Sequence, residues 1–187
     1  MTKEKATLGL DVSTSCTGYS LMTSEGNLID LGYIRLSKLE DIFCKAQRVT
    51  EVINELHDRY HISDIFIEQN LQAFRPGLSS AKTLITLARF NGIVTYLCYL
   101  ETGLKPEFIN VNSARKAVGL KIIKQIKCGK TTKEQVLDWV DLKLGGFGWP
   151  EKILKSGPRR GQTVLEPGCY DMADAYVISL AGLTMKN

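Results

Sequence analysis

Apolar and polar positions alternate in short runs over the first 36 residues, then change to a three- and four-residue rhythm. Residues 6–12, 17–24 and 27–36 have the two-residue period of half-buried strands, separated by turn residues at 13–18 and 23–27. Three consecutive strands joined by short turns predict an antiparallel meander. From 38 to 60 the apolar positions Leu39, Ile42, Phe43, Ala46, Val49, Val52, Ile53 and Leu56 fit one face of a helix, with Ser37 as the expected N-cap. A short apolar run then ends in Glu68. Strand, long helix, strand is a crossover, so this fourth strand is expected parallel to the first. A second long helix opens at Ser79 or Ser80 and runs to about Thr102, stopped by Gly103. It is apolar on most faces, as expected of a helix that is central or lies in a subunit interface. Residues 107–111 read as a fifth strand, and Asn112 or Ser113 as the cap of a short helix ending near Gly119. Thr132 caps a helix over 133–144, 145–169 reads as a long irregular insertion, partly mobile, and 170–185 as the last helix. The order predicts an α/β fold: a mixed five-stranded sheet, three antiparallel strands then two parallel, flanked by helices. All 187 residues fit a single domain.

Composition narrows the classes. No apolar run approaches the roughly 20 residues of a membrane span, and the charged start MTKEKAT has no secretory apolar segment, so no membrane partner is expected. The five cysteines are scattered without a CxxC, which predicts free thiols in a reducing, intracellular compartment: the cytoplasm of a bacterium or infected cell, or an organelle. His57 and His61 are four apart but lack a third ligand, and read as exposed helix-end residues. The net charge of +4 is unevenly placed. Residues 105–160 carry 13 Lys/Arg against 5 Asp/Glu, whereas the rest of the chain is net acidic. A basic segment on such a background is the footprint of a polyanion partner.

Four carboxylates stand at conspicuous places in this frame. Asp11 lies at the end of the first strand and Glu68 at the end of the fourth, while Asp171 and Asp174 share a face of the last helix. Asp171 and Asp174 are each explained by the dipole of a helix N-terminus, but two further acids at strand ends in an apolar core are not. Four converging acids repel unless cations neutralise them, and oxygen-only ligands favour Mg²⁺, with Mn²⁺ able to substitute. A pair of such ions is the arrangement for phosphodiester hydrolysis.

The chain resembles the RuvC-type Holliday junction resolvases of the RNase H-like, retroviral-integrase-like superfamily. The resemblance rests on LGLDVSTSCTGYSL around Asp11, IFIEQN around Glu68 and YDMADAYVISLA around Asp171 and Asp174, and covers nearly the whole chain in order. It implies an RNase H-like fold, the four acids as metal ligands, and a homodimer placing paired symmetric nicks across four-way or branched DNA. It further implies that Lys133 contacts the scissile phosphate, with a second basic position at Arg115 or Lys116. Arg75, Lys130, Arg159 and Arg160 are expected to contact DNA phosphates. Where the cellular enzymes carry a junction-probing aromatic this chain has Leu71, and Phe74 is the nearest aromatic, so Phe74 or Leu71 is expected to wedge beside unpaired bases. The long insertion suggests a viral, phage or organellar branch. The helix over 79–100 is expected to supply the dimer interface.

Two other classes share part of the pattern. Actin-like phosphotransferases have a first phosphate loop similar to residues 11–18, but need a second domain for which the chain has no room. A non-catalytic junction-binding module would not require all four acids.

Overall fold

A computed structural model describes residues 5–69 and 80–186. Leu71, Phe74 and Arg75 lie outside the described residues. The chain forms β1 (Lys5–Asp11), β2 (Cys16–Thr23), β3 (Leu28–Arg35), α1 (Ile42–Arg59), β4 (His61–Glu68), α2 (Ala81–Thr102), β5 (Glu107–Ile109) and α3 (Val111–Ala117). It continues with α4 (Gln125–Cys128), α5 (Thr132–Leu144), β6 (Glu151–Ile153), β7 (Thr163–Leu165) and α6 (Gly168–Lys186). The main sheet has the order β3-β2-β1-β4-β5. β1 pairs antiparallel with β2 and parallel with β4, and β4 pairs parallel with β5. The expected mixed sheet is present.

The alternation along β1 splits the core in two. Leu8 and Leu10 are fully buried against the stripe of α1 and the Phe90, Val94 and Cys98 side of α2. The opposite face, represented by Phe66 of β4 and Met22 of β2, packs on α3, α5 and α6. The sheet is thus the middle of three layers, and α6 crosses its second face.

Small residues let α6 approach. A Cβ on Gly9 would lie 2.5 Å from the Ser179 nitrogen, and one on Gly182 would lie 2.2 Å from the Phe66 ring. Ser179 of α6 donates to Ser20 of β2 across the same contact at 3.0 Å, both side chains buried. At the far end of α6, Lys186 is paired with Asp64 and with Glu107, fixing the helix to β4 and β5.

Several boundaries differ from the sequence expectation, each for a local reason. α1 is capped by Asp41, not Ser37, because the Asp41 carboxylate accepts from the Phe43 and Cys44 nitrogens at 2.8 Å. Asn110 rather than Asn112 or Ser113 caps α3. Thr131, not Thr132, caps α5, in a reciprocal box with Glu134. The basic stretch 121–132, whose composition reads as a loop or frayed turn, contains α4, and the Gln135 side chain of α5 bonds both the nitrogen and the oxygen of Ile123 just before it. His57 closes α1 whereas His61 opens β4, so the pair does not share a helix.

The stretch 145–169 is not irregular. It folds back as the antiparallel pair β6–β7. Its base is held by Asp141, whose carboxylate accepts from the Phe147 nitrogen at 2.9 Å and the Trp149 indole at 2.8 Å. Finally, α2 has a mean hydropathy of 1.2 and is, among the described residues, the one helix long and apolar enough to cross a membrane by length and composition. The expectation that no stretch approaches that limit does not hold. Its polar residues are spaced around the helix and so break the apolar run in sequence without making it amphipathic.

Candidate active site

Asp11 is the last residue of β1, and its cross-strand partner is Gly18. That pairing sets the site. A Cβ on Gly18 would lie 2.0 Å from the Asp171 carbonyl oxygen, so the first turn of α6 sits directly on the backbone of β2 beside Asp11. The turn between β1 and β2 is closed by Ser13, whose hydroxyl donates to the Cys16 carbonyl at 2.6 Å and accepts from the Cys16 nitrogen. Glu68 ends β4, the parallel neighbour of β1. Asn91, a buried polar residue of α2, donates to the Glu68 carbonyl at 3.4 Å and accepts from Thr95. Asp171 and Asp174 follow on successive turns of α6, and Asp174 is buried.

These carboxyls lie close enough to act on one another's charge. Burial, followed by the charges of Glu68, Asp174 and Asp171, holds Asp11 well above the usual carboxylate range. Glu68 is pushed up to about 7 by burial and by Asp174. Burial also raises Asp174, against the opposing pull of Arg115 and Lys133. Cys16 lies at the same place: burial and the adjacent Asp171 push its thiol up, which disfavours the thiolate.

Two cations face the acids. Arg115 of α3 lies 3.5 Å from Asp174, with its Nε buried and without a hydrogen-bond partner. Lys133, in the first turn of α5, lies 3.5 Å from Asp171. Burial works against the Lys133 charge, but Asp171, Asp174 and Asp11 outweigh it and raise its pKa. The sequence left Arg115 and Lys116 as alternatives. The structure turns Arg115 to the acids, while Lys116 is exposed on a groove of about 280 Å³ with Asn112, Lys121 and Ile122.

The donor set suits a hard divalent cation. With all four carboxyls ionised, Arg115 and Lys133 balance two, leaving the charge that one divalent ion would neutralise. Among the described residues no group of three His, Cys, Asp or Glu side chains is already gathered as a metal cage. Of the remaining expected DNA contacts, Lys130 is paired with Asp138 at 2.6 Å, and Arg159 and Arg160 are exposed between β6 and β7. The sequence reading did not single out Gly18 or Asn91. A polar Asn inside the apolar stretch of α2 was the one sequence signal for either.

No family model matches the chain. The crossover junction endodeoxyribonuclease RuvC of Cytophaga hutchinsonii is 30% identical over 95 residues, 49% of this chain and 45% of that protein. The alignment thus spans less than half of the curated relative. Among solved structures, Thermus thermophilus RuvC in complex with a Holliday junction substrate superposes with a TM-score of 0.65 at 16% identity, over 97% of this chain and 94% of that one. The yeast mitochondrial Holliday junction resolvase Ydc2 gives 0.56 at 16% identity, over 98% and 80% respectively. The chain therefore has the RNase H-like fold of the RuvC-type Holliday junction resolvases.

Proposed function

We propose that this protein is a metal-dependent, structure-selective endodeoxyribonuclease that resolves four-way DNA junctions by paired nicks. One observation carries the reading: Asp11, Glu68, Asp171 and Asp174, from three separate elements, share a site whose charge is only half balanced by Arg115 and Lys133. Burying such an excess has a stability cost that a purely structural role would not require. The four acids would hold Mg²⁺, or Mn²⁺ in its place. When bound, such ions supply an activated water and stabilise the leaving oxygen.

The protein groups have separable roles. Lys133 places a positive charge where the scissile phosphate gains negative charge. Arg115 holds Asp174 and moderates the charge of Glu68. Asn91 fixes the carbonyl of Glu68 and thereby the end of β4. The basic groove at Lys116 and Lys121 offers non-specific backbone contacts, with selectivity arising from junction shape.

One chain carries one acid cluster, so symmetric nicks require two copies related by a two-fold axis. The outer face of α2 suits that pairing. Ile85, Tyr96, Tyr99 and Leu100 are at least half exposed, and Phe43 of α1 is 67% exposed beside them. Gly92 has open space above it, allowing close approach of a second helix.

The test is cleavage of a labelled four-way junction, a fork and a plain duplex with Mg²⁺. Symmetric nicks in the junction, lost in Asp11→Asn and Glu68→Gln while junction binding persists, are expected. Retained nicking by both variants would sink the assignment of the acids.

A further inference from the structure

We propose that the β6–β7 hairpin and the end of β3 form a phosphate-binding cleft that grips the backbone of the cleaved strand beside the scissile phosphate. This rests on the nuclease reading and extends it to residues no part of that reading uses. A cleft of about 500 Å³ opens from Asp171 and Lys133 and runs between β3 and β6. Its walls bring Arg35, Lys38 and Lys152 together with Lys133, against only Glu166 and Asp171. A concave surface with excess positive charge concentrates anions. Because it opens onto the catalytic acids, its occupant is continuous with whatever is cut there.

The cations are held in place. Glu166, whose side chain is only 16% exposed, pairs through one oxygen with Arg35 at 3.1 Å and through the other with Lys152 at 3.6 Å. Arg35 also donates from the same Nη2 to the Tyr33 hydroxyl at 3.1 Å. That nitrogen is thereby saturated, and among the described residues no hydrogen bond engages the N–H groups on Nη1 and Nε, which face a ligand on this proposal. Tyr33 is seated against Gly168 at the start of α6, where a Cβ would come within 2.4 Å of its ring. The hairpin wall is fixed at its base by Asp141 and by the Glu166 nitrogen, which bonds the Pro150 carbonyl at 2.8 Å. Glu166 thus acts as a positioning residue that orients two cations from different elements toward one cleft. The inserted hairpin has a function on this account: it supplies Lys152 and closes one side of the cleft. The exposed Arg159 and Arg160 are not among the residues lining it.

The experiment combines variants with neutral phosphates. Phosphates flanking the cleaved position of a four-way junction are replaced one at a time by methylphosphonates. Binding and single-turnover cleavage are then measured for wild type, Lys152→Ala and Arg35→Lys. With unmodified junction each variant is expected to bind about 10-fold more weakly, the loss of a charge-assisted hydrogen bond. The salt slope should fall by roughly one counterion in Lys152→Ala and stay unchanged in Arg35→Lys, which keeps its charge. At one or two flanking positions the methylphosphonate should weaken wild type comparably and have no further effect on the variants. Additive losses at every position, or variants that bind as wild type does, overturn the cleft. Because Lys152 and the Arg35→Lys change lie at the surface, a melting curve matching wild type separates both from misfolding. A wild type that binds with this coupling but does not cut would refute the nuclease reading and leave the cleft standing. Failure to bind any junction would overturn both.

Discussion

The contact between Gly18 and the first turn of α6 gives the sharpest test of how the site is built. In Gly18→Ala the new Cβ would lie 2.0 Å from the Asp171 carbonyl oxygen and 2.3 Å from its carbon. Both are backbone atoms, so no rotamer change relieves the clash. Restoring even a 3.0 Å contact requires β2 and α6 to separate by about 1 Å, at the place where the proposed function has Asp171 and Asp11 act together. Overpacking of this kind costs about 1–3 kcal/mol, which for a chain of this size lowers Tm by roughly 2–12 °C. A displacement of that size at reacting groups lowers the rate on the order of 100-fold. The assay is single-turnover junction cleavage at saturating protein, below the melting transition, with a gel shift to verify binding. Gly148→Ala, where a Cβ meets nothing within 4 Å, is the control and should behave as wild type. A Gly18→Ala protein cleaving within about twofold of wild type would refute the view that strand-to-helix contact sets the geometry.

Other consequences are equally direct. Glu68 has its pKa raised from 4.5 to about 7, so the native state binds more protons than the unfolded chain between those values and stability falls as pH rises through that window. In metal-free protein Tm should therefore drop from pH 5 to pH 8, with the raised Asp11 and Asp174 acting in the same direction. Glu68→Gln should make the drop shallower, and an unchanged slope in that variant would assign the effect to the other acids. Asn91→Leu should cost about 1–3 kcal/mol by removing the bond to the Glu68 carbonyl, and should lower kcat more than KM. A rate loss no larger than the loss of folded protein would reduce Asn91 to a packing role. Tyr96→Glu, placing a charge on the exposed face of α2, should shift sedimentation toward monomer and uncouple the two nicks. A dimer of wild-type stability would place the interface elsewhere.

The order of elements was legible in the sequence because each carries its own period: alternation in β1 to β3, a helical stripe in α1, and a crossover before β4. The four acids were legible for a related reason. A carboxylate that ends an apolar strand conflicts with its surroundings, and that conflict is visible without coordinates. Capping residues were placed within a few positions but not to the residue, since several side chains near Asp41 and Asn110 could have made the same bonds. The insertion was misread as irregular because its strands are three residues each, too short to show a period, and its order comes from Asp141 and Trp149 at long range.

By itself, then, the sequence determined the class of sheet and the crossover order, and marked the four acids as candidates. Those depend on local pattern and on the cost of burying charge. The tertiary structure decided which basic residue faces the acids, Arg115 rather than its neighbour Lys116, because helix rotation relative to α6 is set by packing. It also decided that Gly18 is the seat of α6 and that Arg35 and Lys152 meet at Glu166. These are relations between residues far apart in the chain, fixed by close approach of backbones and by ion pairs across elements, and no local pattern encodes them.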